Sequence, residues 1–156
     1  MRVAFLTDVH GNLPALEAVL DDARREGAEE IWDGGDAVGY HPWPASCVAR
    51  LHEACAVTVQ GNYDRKVLKT PRRRARWLRR KDPLKARTLI WAWEHLDPDG
   101  RRLLAARPAE VRRPTPQGEV LICHATPLSR KEPVGPATGS DRWRELARAA
   151  APATLV

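Results

Sequence analysis

Five side chains of the types that bind divalent cations stand where predicted strands give way to turns: Asp8, His10, Asp36, Asn62 and His124. The apolar run Val3 to Leu6 leads into Asp8-Val9-His10, and Gly11-Asn12 breaks it. Glu30-Ile31-Trp32-Asp33 leads into Gly34-Gly35-Asp36, and Ala56-Val57-Thr58-Val59 leads to Gly61-Asn62. Val120-Leu121-Ile122-Cys123 delivers His124. Carboxylate, imidazole and amide oxygen suit Mn, Fe or Zn better than a soft thiolate site would. Strand ends are where such residues meet, because ligands of open α/β sheets bind at the carboxyl ends of the strands. Two cations about 3.5–4 Å apart would lower the pKa of a bridging water and hold a phosphoryl group. They would also offset the charge that develops as water attacks in line. No serine or cysteine stands in a convincing nucleophile setting, which agrees with a reaction that uses water.

Taken singly, each motif has an ordinary explanation. An Asp-x-His, a Gly-Gly-Asp or a Gly-Asn is most often a turn, and a lone His after a strand is most often a hydrogen-bonded structural residue. The ordered set at four successive strand ends carries the metal reading. Asp36 follows two glycines, so backbone can approach it closely, and its carboxylate could bridge two cations. Asn62 adds a neutral oxygen, which leaves room for an anionic phosphate.

The elements that must position these residues follow from the pattern between them. Asn12 can cap a helix and Pro14 fits its first turn. Leu13, Leu16, Val19, Leu20 and Ala23 then recur at helical spacing until Gly27. A second helical face, Cys47, Val48, Leu51 and Ala54, follows the Pro-rich turn at His41-Pro42-Trp43-Pro44. The result is β-α-β-α-β, the pattern of a largely parallel sheet covered by helices. From about 65 to 107 the chain reads as a helical, basic insert punctuated by Pro71, Pro83 and Pro98, with Leu89, Ile90, Trp93 and Leu96 on one face. Pro114, Pro116 and Gly118 mark a turn, and a polar loop runs from Pro127 to Gly139. Ser140 opens a last helix with Trp143, Leu146 and Ala149 on its inner face. Ala153-Thr154-Leu155-Val156 reads as the start of a fifth strand.

At 156 residues the chain suits a single domain, 1–156, large enough to bury a core. The opening apolar run is shorter than a signal peptide requires. No stretch approaches the roughly 18 apolar residues of a membrane span, so no membrane partner is expected and the cytoplasm is the default. Three cysteines without CxxC spacing point to reduced, buried thiols rather than disulfides or a zinc knuckle. The net charge of +6 is concentrated between Arg65 and Arg87, which hold twelve basic residues and one acidic residue, Asp82. Anionic partners are favoured. Arg72-Arg73-Arg74-Ala75-Arg76 with Trp77 could grip a nucleic acid and stack on a base, or could be a solvated face with Trp77 turned inward. His41 reads as a surface turn, and Trp91 and Trp93 as cap or core packing.

Asp8-Val9-His10-Gly11-Asn12, Gly34-Gly35-Asp36, Gly61-Asn62-Tyr63-Asp64 and His124 resemble the successive motifs of the calcineurin-like metallophosphoesterase superfamily. The opening from Asp8 to Leu16 is similar to its small bacterial and archaeal phosphodiesterase branch. The resemblance implies an α/β fold of the α+β sandwich type, a β-sandwich flanked by helices with its second sheet incomplete. It implies two divalent cations (Mn, Fe, Zn or Ni), with Asp8, His10 and Asp36 at one and Asp36, Asn62 and His124 at the other. It implies a phosphate-ester substrate hydrolysed by metal-activated water, with Asn12 a candidate substrate contact.

The chain departs from the family pattern in two places. Many phosphatases of the family carry a histidine where Tyr63 stands. A phenol with a reference pKa near 10 is a poor proton shuttle, so Tyr63 reads either as a hydrogen-bond donor or as packing beside the site. This fits a diesterase better than a broad phosphomonoesterase. The family's closing Gly-His-x-His motif does not occur, and His41, His52 and His95 all lie upstream. The expectation is a shortened relative whose activity depends on that segment. The alternatives are an impaired remnant that binds metal, nucleotide or a protein partner, and a nucleic-acid-binding module. An unfinished sheet edge also makes a homo-oligomer an expectation.

Overall fold

The computed structural model describes residues 1–153. The chain runs through β1 (Val3–Leu6), α1 (Leu13–Arg25), β2 (Glu30–Asp33), α2 (Pro44–Ala54) and β3 (Val57–Thr58). Four helices follow, α3 (Asn62–Leu68), α4 (Thr70–Arg80), α5 (Pro83–Glu94) and α6 (Pro98–Ala106). A hairpin of β4 (Glu110–Thr115) and β5 (Gly118–Cys123) and the helix α7 (Ser140–Ala150) complete it. The start of the expected fifth strand, residues 154–156, lies outside the described residues.

Strands β1, β2 and β3 form a parallel sheet in that order, with Val3 opposite Glu30 and Trp32 opposite Val57. This is the β-α-β-α-β unit read from the sequence. Asn12 caps α1 by accepting the Ala15 N–H, and Leu16, Leu20 and Ala23 face inward. Burying each such leucine is worth about 1.5–3 kcal/mol. They join Val48 and Leu51 of α2 and Leu89, Leu96 and Leu104 of the helical segment in one core. Pro71, Pro83 and Pro98 each stand in the first turn of a helix, where a missing N–H costs nothing.

The second sheet of the expected sandwich has two strands among the described residues. The strand that delivers His124 does not extend the parallel sheet; it pairs antiparallel with β4 in a sheet of its own. The β4 strand had no counterpart in the sequence reading, since Glu110, Arg112, Arg113 and Pro114 conceal it. Proline lacks a ladder donor and is tolerated there because β4 is an edge strand. Trp32, Val57 and Val59 of the first sheet pack on Ile122 of the second, with Val111 partly buried beside them. An Arg113–Glu30 ion pair of 2.6 Å ties the two sheets at their margin. This is a sandwich with helices around it. Trp143 departs from its expected inward position and is exposed, while Leu146 and Ala150 carry the buried face of α7. No helix among the described residues is long and apolar enough to cross a membrane.

Candidate metal centre

The segment after β1 and the segment after β2 are laced together by backbone bonds. Asp8 N–H donates to the Gly35 carbonyl at 2.9 Å, His10 N–H to that of Asp36 at 2.8 Å and Gly11 N–H to that of Ala37 at 2.8 Å. This lacing bends the chain sharply. Asp8, His10 and Asp36 all hold positive φ, at 58°, 51° and 57°. Asp and His are among the residues that tolerate this region, at a cost of about 1–3 kcal/mol each. The pair Gly35 and Gly61 permits the crossing. A Cβ on Gly61 would lie 2.0 Å from Asp36 Oδ1, and one on Gly35 would lie 2.7 Å from Gly61 N.

The structure brings all five predicted ligand residues to one point. Asp36 is buried at its centre. Its Oδ2 lies 3.8 Å from His10 Nε2, 3.6 Å from His124 Nε2 and 3.3 Å from Asn62 Nδ2. Its Oδ1 accepts the Tyr63 N–H at 2.6 Å. Asp8 Oδ1 stands 3.5 Å from His10 Nε2. Both imidazoles are held from behind by backbone carbonyls, His10 Nδ1 by Val38 O at 3.1 Å and His124 Nδ1 by Gly34 O at 2.8 Å. Nδ1 is therefore the protonated nitrogen of each neutral ring, and each Nε2 lone pair points at the cluster. One donor atom each from Asp8, His10 and Asp36 fits within 4.8 Å, compact enough to hold a cation.

Charge is distributed unevenly here. Burial, reinforced by the neighbouring Asp64 carboxylate, lifts Asp36 to about 6 despite the opposing imidazoles. Lys66, one turn after Asn62 on α3, donates to Asn62 Oδ1 at 2.6 Å and lies over the Tyr63 ring. Burial and the neighbouring Lys131 hold its ammonium below the usual lysine range. The Tyr63 hydroxyl bonds to that of Tyr40, and burial together with this bond raises its pKa above the usual phenol range, so it keeps its proton. Burial lifts the thiols of Cys47 and Cys55 to about 12, consistent with inert cysteines.

Two residues without a sequence-assigned role prove central to the frame. Asp64 is fully buried and accepts the backbone N–H groups of Asp36 at 3.0 Å, Val38 at 3.2 Å and Gly61 at 3.0 Å. Its place two residues after Asn62, in the first turn of α3, was the available signal. Arg107 pairs with Asp33 at 2.8 Å and approaches Asp64 at 3.9 Å, both carboxylates being buried. Nothing in its surroundings in sequence marks it out. Asn12 has its side-chain oxygen engaged in the α1 cap. His41 is exposed on the turn as expected. Trp77 is 8% exposed and turned inward, which removes it as a stacking surface, whereas Trp91 is exposed rather than packed.

Comparison with known proteins identifies the family and the fold. A family model described as calcineurin-like phosphoesterase matches residues 1–153. The uncharacterized protein MJ0912 of Methanocaldococcus jannaschii is 41% identical over 66 residues, 42% of this chain and 27% of that one. The phosphodiesterase YfcE of Escherichia coli K12 is 34% identical over 77 residues, 43% of this chain and 42% of that one. A metallophosphoesterase structure from Sphaerobacter thermophilus superposes on 96% of this chain and 56% of its own, with TM-score 0.74 and 27% identity. The structure of PH1004 from Pyrococcus horikoshii OT3 covers 94% of this chain and 64% of its own, with TM-score 0.75 and 25% identity. The matched region is thus less than two thirds of each of these proteins.

Proposed function

The chain belongs to the calcineurin-like phosphoesterase family, and from that premise we propose that it hydrolyses phosphate esters, phosphodiesters foremost, at the cluster around Asp36. Asp8, His10 and Asp36 would hold one divalent cation, and Asp36, Asn62 and His124 a second. The observation that carries this is the setting of Asp36 Oδ2. Two imidazole lone pairs face this oxygen at 3.8 and 3.6 Å, because both Nδ1 atoms are spent on carbonyls. The Asn62 amide nitrogen lies 3.3 Å from both this oxygen and His124 Nε2, and a cation in its place would take up the same lone pairs together with that of His10. Three donors for each cation, with Asp36 shared, leave open positions of the kind catalytic sites keep.

Bound cations would supply the Lewis acidity that activates water and stabilises the charge of a transferring phosphoryl group. The residues of the chain do the rest. The Tyr63 N–H and the hydrogen bonds of Asp64 to the surrounding backbone fix the Asp36 carboxylate. The Gly34 and Val38 carbonyls fix the imidazole tautomers, and such outer partners orient ligands and raise their basicity. As a ligand, Asn62 would turn its amide over, because Nδ2 now faces Asp36 and Oδ1 faces Lys66. Lys66 would then be free to meet an anionic oxygen of the substrate. Tyr63 holds its proton tightly and is no shuttle, which supports diesters over poorly activated monoesters. Manganese is the first cation to try, and the helical segment 65–107 is taken as an insert that walls the site.

The test is hydrolysis of bis-p-nitrophenyl phosphate and p-nitrophenyl phosphate with Mn, alongside metal analysis. Diester hydrolysis that requires added metal and disappears in Asp36→Ala and Asn62→Ala is expected. Activity that survives Asp36→Ala would defeat the assignment.

A further inference from the structure

A groove of about 450 Å³ runs between the turn at Tyr40 and His41 and the outer face of α5. Tyr40 and His41 also line the 290 Å³ pocket that contains Asp8 and His10, so the two cavities share a wall. Trp91 and Tyr40 line the groove and are each 44% exposed. Exposed aromatic rings cost hydration, and Pro42, Leu78 and Ile90 line the groove beside them. His95 stacks on Trp91, with ring centroids 3.6 Å apart and planes at 16°. The Tyr40 ring meets His10 edge-on at 4.8 Å, which ties this wall of the groove to the cation cluster.

The polar groups around these rings are of two signs. Arg74 of α4 pairs with Glu94 of α5 across the groove. Arg87 lines the same groove and enters no ion pair among the described residues. Flat aromatic surface beside guanidinium donors and a carboxylate acceptor suits a planar heterocycle with hydrogen-bonding edges. The end of such a ligand nearest Tyr40 meets a different environment, one of cation ligands with Lys66 beyond Tyr63. That environment suits an anionic ester.

We propose that the groove between the Tyr40 turn and α5 is a nucleobase subsite, so that the substrate is a nucleotide ester with its base against Trp91 and Tyr40 and its phosphate at the Asp36 cluster. The phosphate end of this assignment rests on the hydrolase reading above; the base end rests on the groove itself. Stacking of a base on an aromatic side chain is worth about 5- to 150-fold in affinity. Arg87 supplies charge and Trp91 supplies surface. A solvated helical face would need neither at this place.

The test titrates the full chain with AMP and with ribose 5-phosphate by calorimetry, first in EDTA and then with Mn. AMP is expected to bind at least about fivefold more tightly than ribose 5-phosphate in both conditions, a gap set by stacking. Trp91→Ala is expected to close that gap, Trp91→Phe to keep most of it, and Arg87→Ala, a change on the exposed surface, to weaken AMP without unfolding the chain. Equal affinity for the two ligands, or AMP affinity untouched by both Trp91→Ala and Arg87→Ala, overturns the proposal. A short oligothymidylate distinguishes the source of the nucleotide. Tighter, salt-sensitive binding of the strand identifies a nucleic-acid end and affinity equal to that of AMP identifies a free nucleotide, both of them nucleobase ligands. Failure of the hydrolase reading shows separately, as no Mn-dependent hydrolysis of bis-p-nitrophenyl phosphate while the AMP preference persists.

Discussion

Asp8, His10 and Asp36 combine two properties that compete, since each offers a ligand atom to one point and each sits at positive φ. A backbone in that region is strained for any side chain but glycine, by about 1–3 kcal/mol. Asp8→Gly relaxes the strain at a half-exposed position whose carboxylate accepts a bond from the Thr7 hydroxyl at 2.8 Å and stands 3.5 Å from His10 Nε2. The variant is expected to melt no lower than the parent, gaining up to about 1 kcal/mol after the larger chain entropy of glycine is subtracted. It is also expected to lose most metal-dependent hydrolysis. A thermal melt beside a diesterase assay reads both, and a clear fall in melting temperature would show that the bend is not strained. Gly61→Ala probes the opposite face. Its Cβ would fall 2.0 Å from Asp36 Oδ1 and 2.2 Å from the Asp36 backbone nitrogen, so both the carboxylate and the backbone that carries it must shift. Loss of bound metal by elemental analysis, together with a lowered melting temperature, is the expected result. The ligand types were legible in the sequence because strand ends and glycines surround them. The left-handed turns were not, because neither Asp nor His encodes that conformation; the lacing of two loops imposes it.

At the level of elements, the end of β2, the start of α3 and the residue after α6 are joined by one buried ionic group. Arg107 serves both Asp33 and Asp64, and its Nη2 has no partner among the described residues. Removing one partner of such a group leaves uncompensated buried charge, so Arg107→Ala should cost about 3–5 kcal/mol in urea denaturation. The cost should depend on pH. Burial lifts Asp33 from 3.8 to about 6 even with Arg107 beside it. The folded chain therefore holds this proton more tightly than the unfolded chain, and the linked stability is present below about pH 4 and lost as pH rises through about 6. Without Arg107 the carboxyl rises further and the loss continues to higher pH. The deficit of Arg107→Ala should be larger at pH 7 than at pH 5; a deficit that shrinks with rising pH would contradict the buried pair. Helices and parallel strands were readable here because their apolar periods are regular. Arg107 and β4 were not, because a buried arginine is indistinguishable in sequence from the basic residues around it, and an edge strand with Arg112, Arg113 and Pro114 has no clean alternation.

Across the molecule, the five candidate ligands do not come from one body. Asp8, His10, Asp36 and Asn62 belong to the parallel sheet and its helices, whereas His124 follows the last strand of the antiparallel hairpin. The two sheets otherwise meet through a small apolar patch, Trp32, Val57, Val59 and Ile122, and the ion pair of Glu30 with Arg113. A cation shared by Asp36 and His124 would therefore clamp two layers that have little else between them. Ligands that bind only the folded state stabilise it by about 2.7 kcal/mol at one hundred times Kd. For a domain of this size that corresponds to a rise of roughly 5–11 °C in melting temperature. Saturating Mn should produce such a rise, EDTA should reverse it, and Asp36→Ala should abolish it. His124→Ala should keep part of the rise, since Asp8, His10 and Asp36 still bind on the parallel sheet, but the hairpin should lose its added protection. Hydrogen exchange reads this directly: Mn slows amide exchange in β4 and β5 of the parent chain and leaves it unchanged in His124→Ala. Equal slowing in both would mean that the cation protects the hairpin without His124, and that His124 is held by the Gly34 carbonyl rather than by metal.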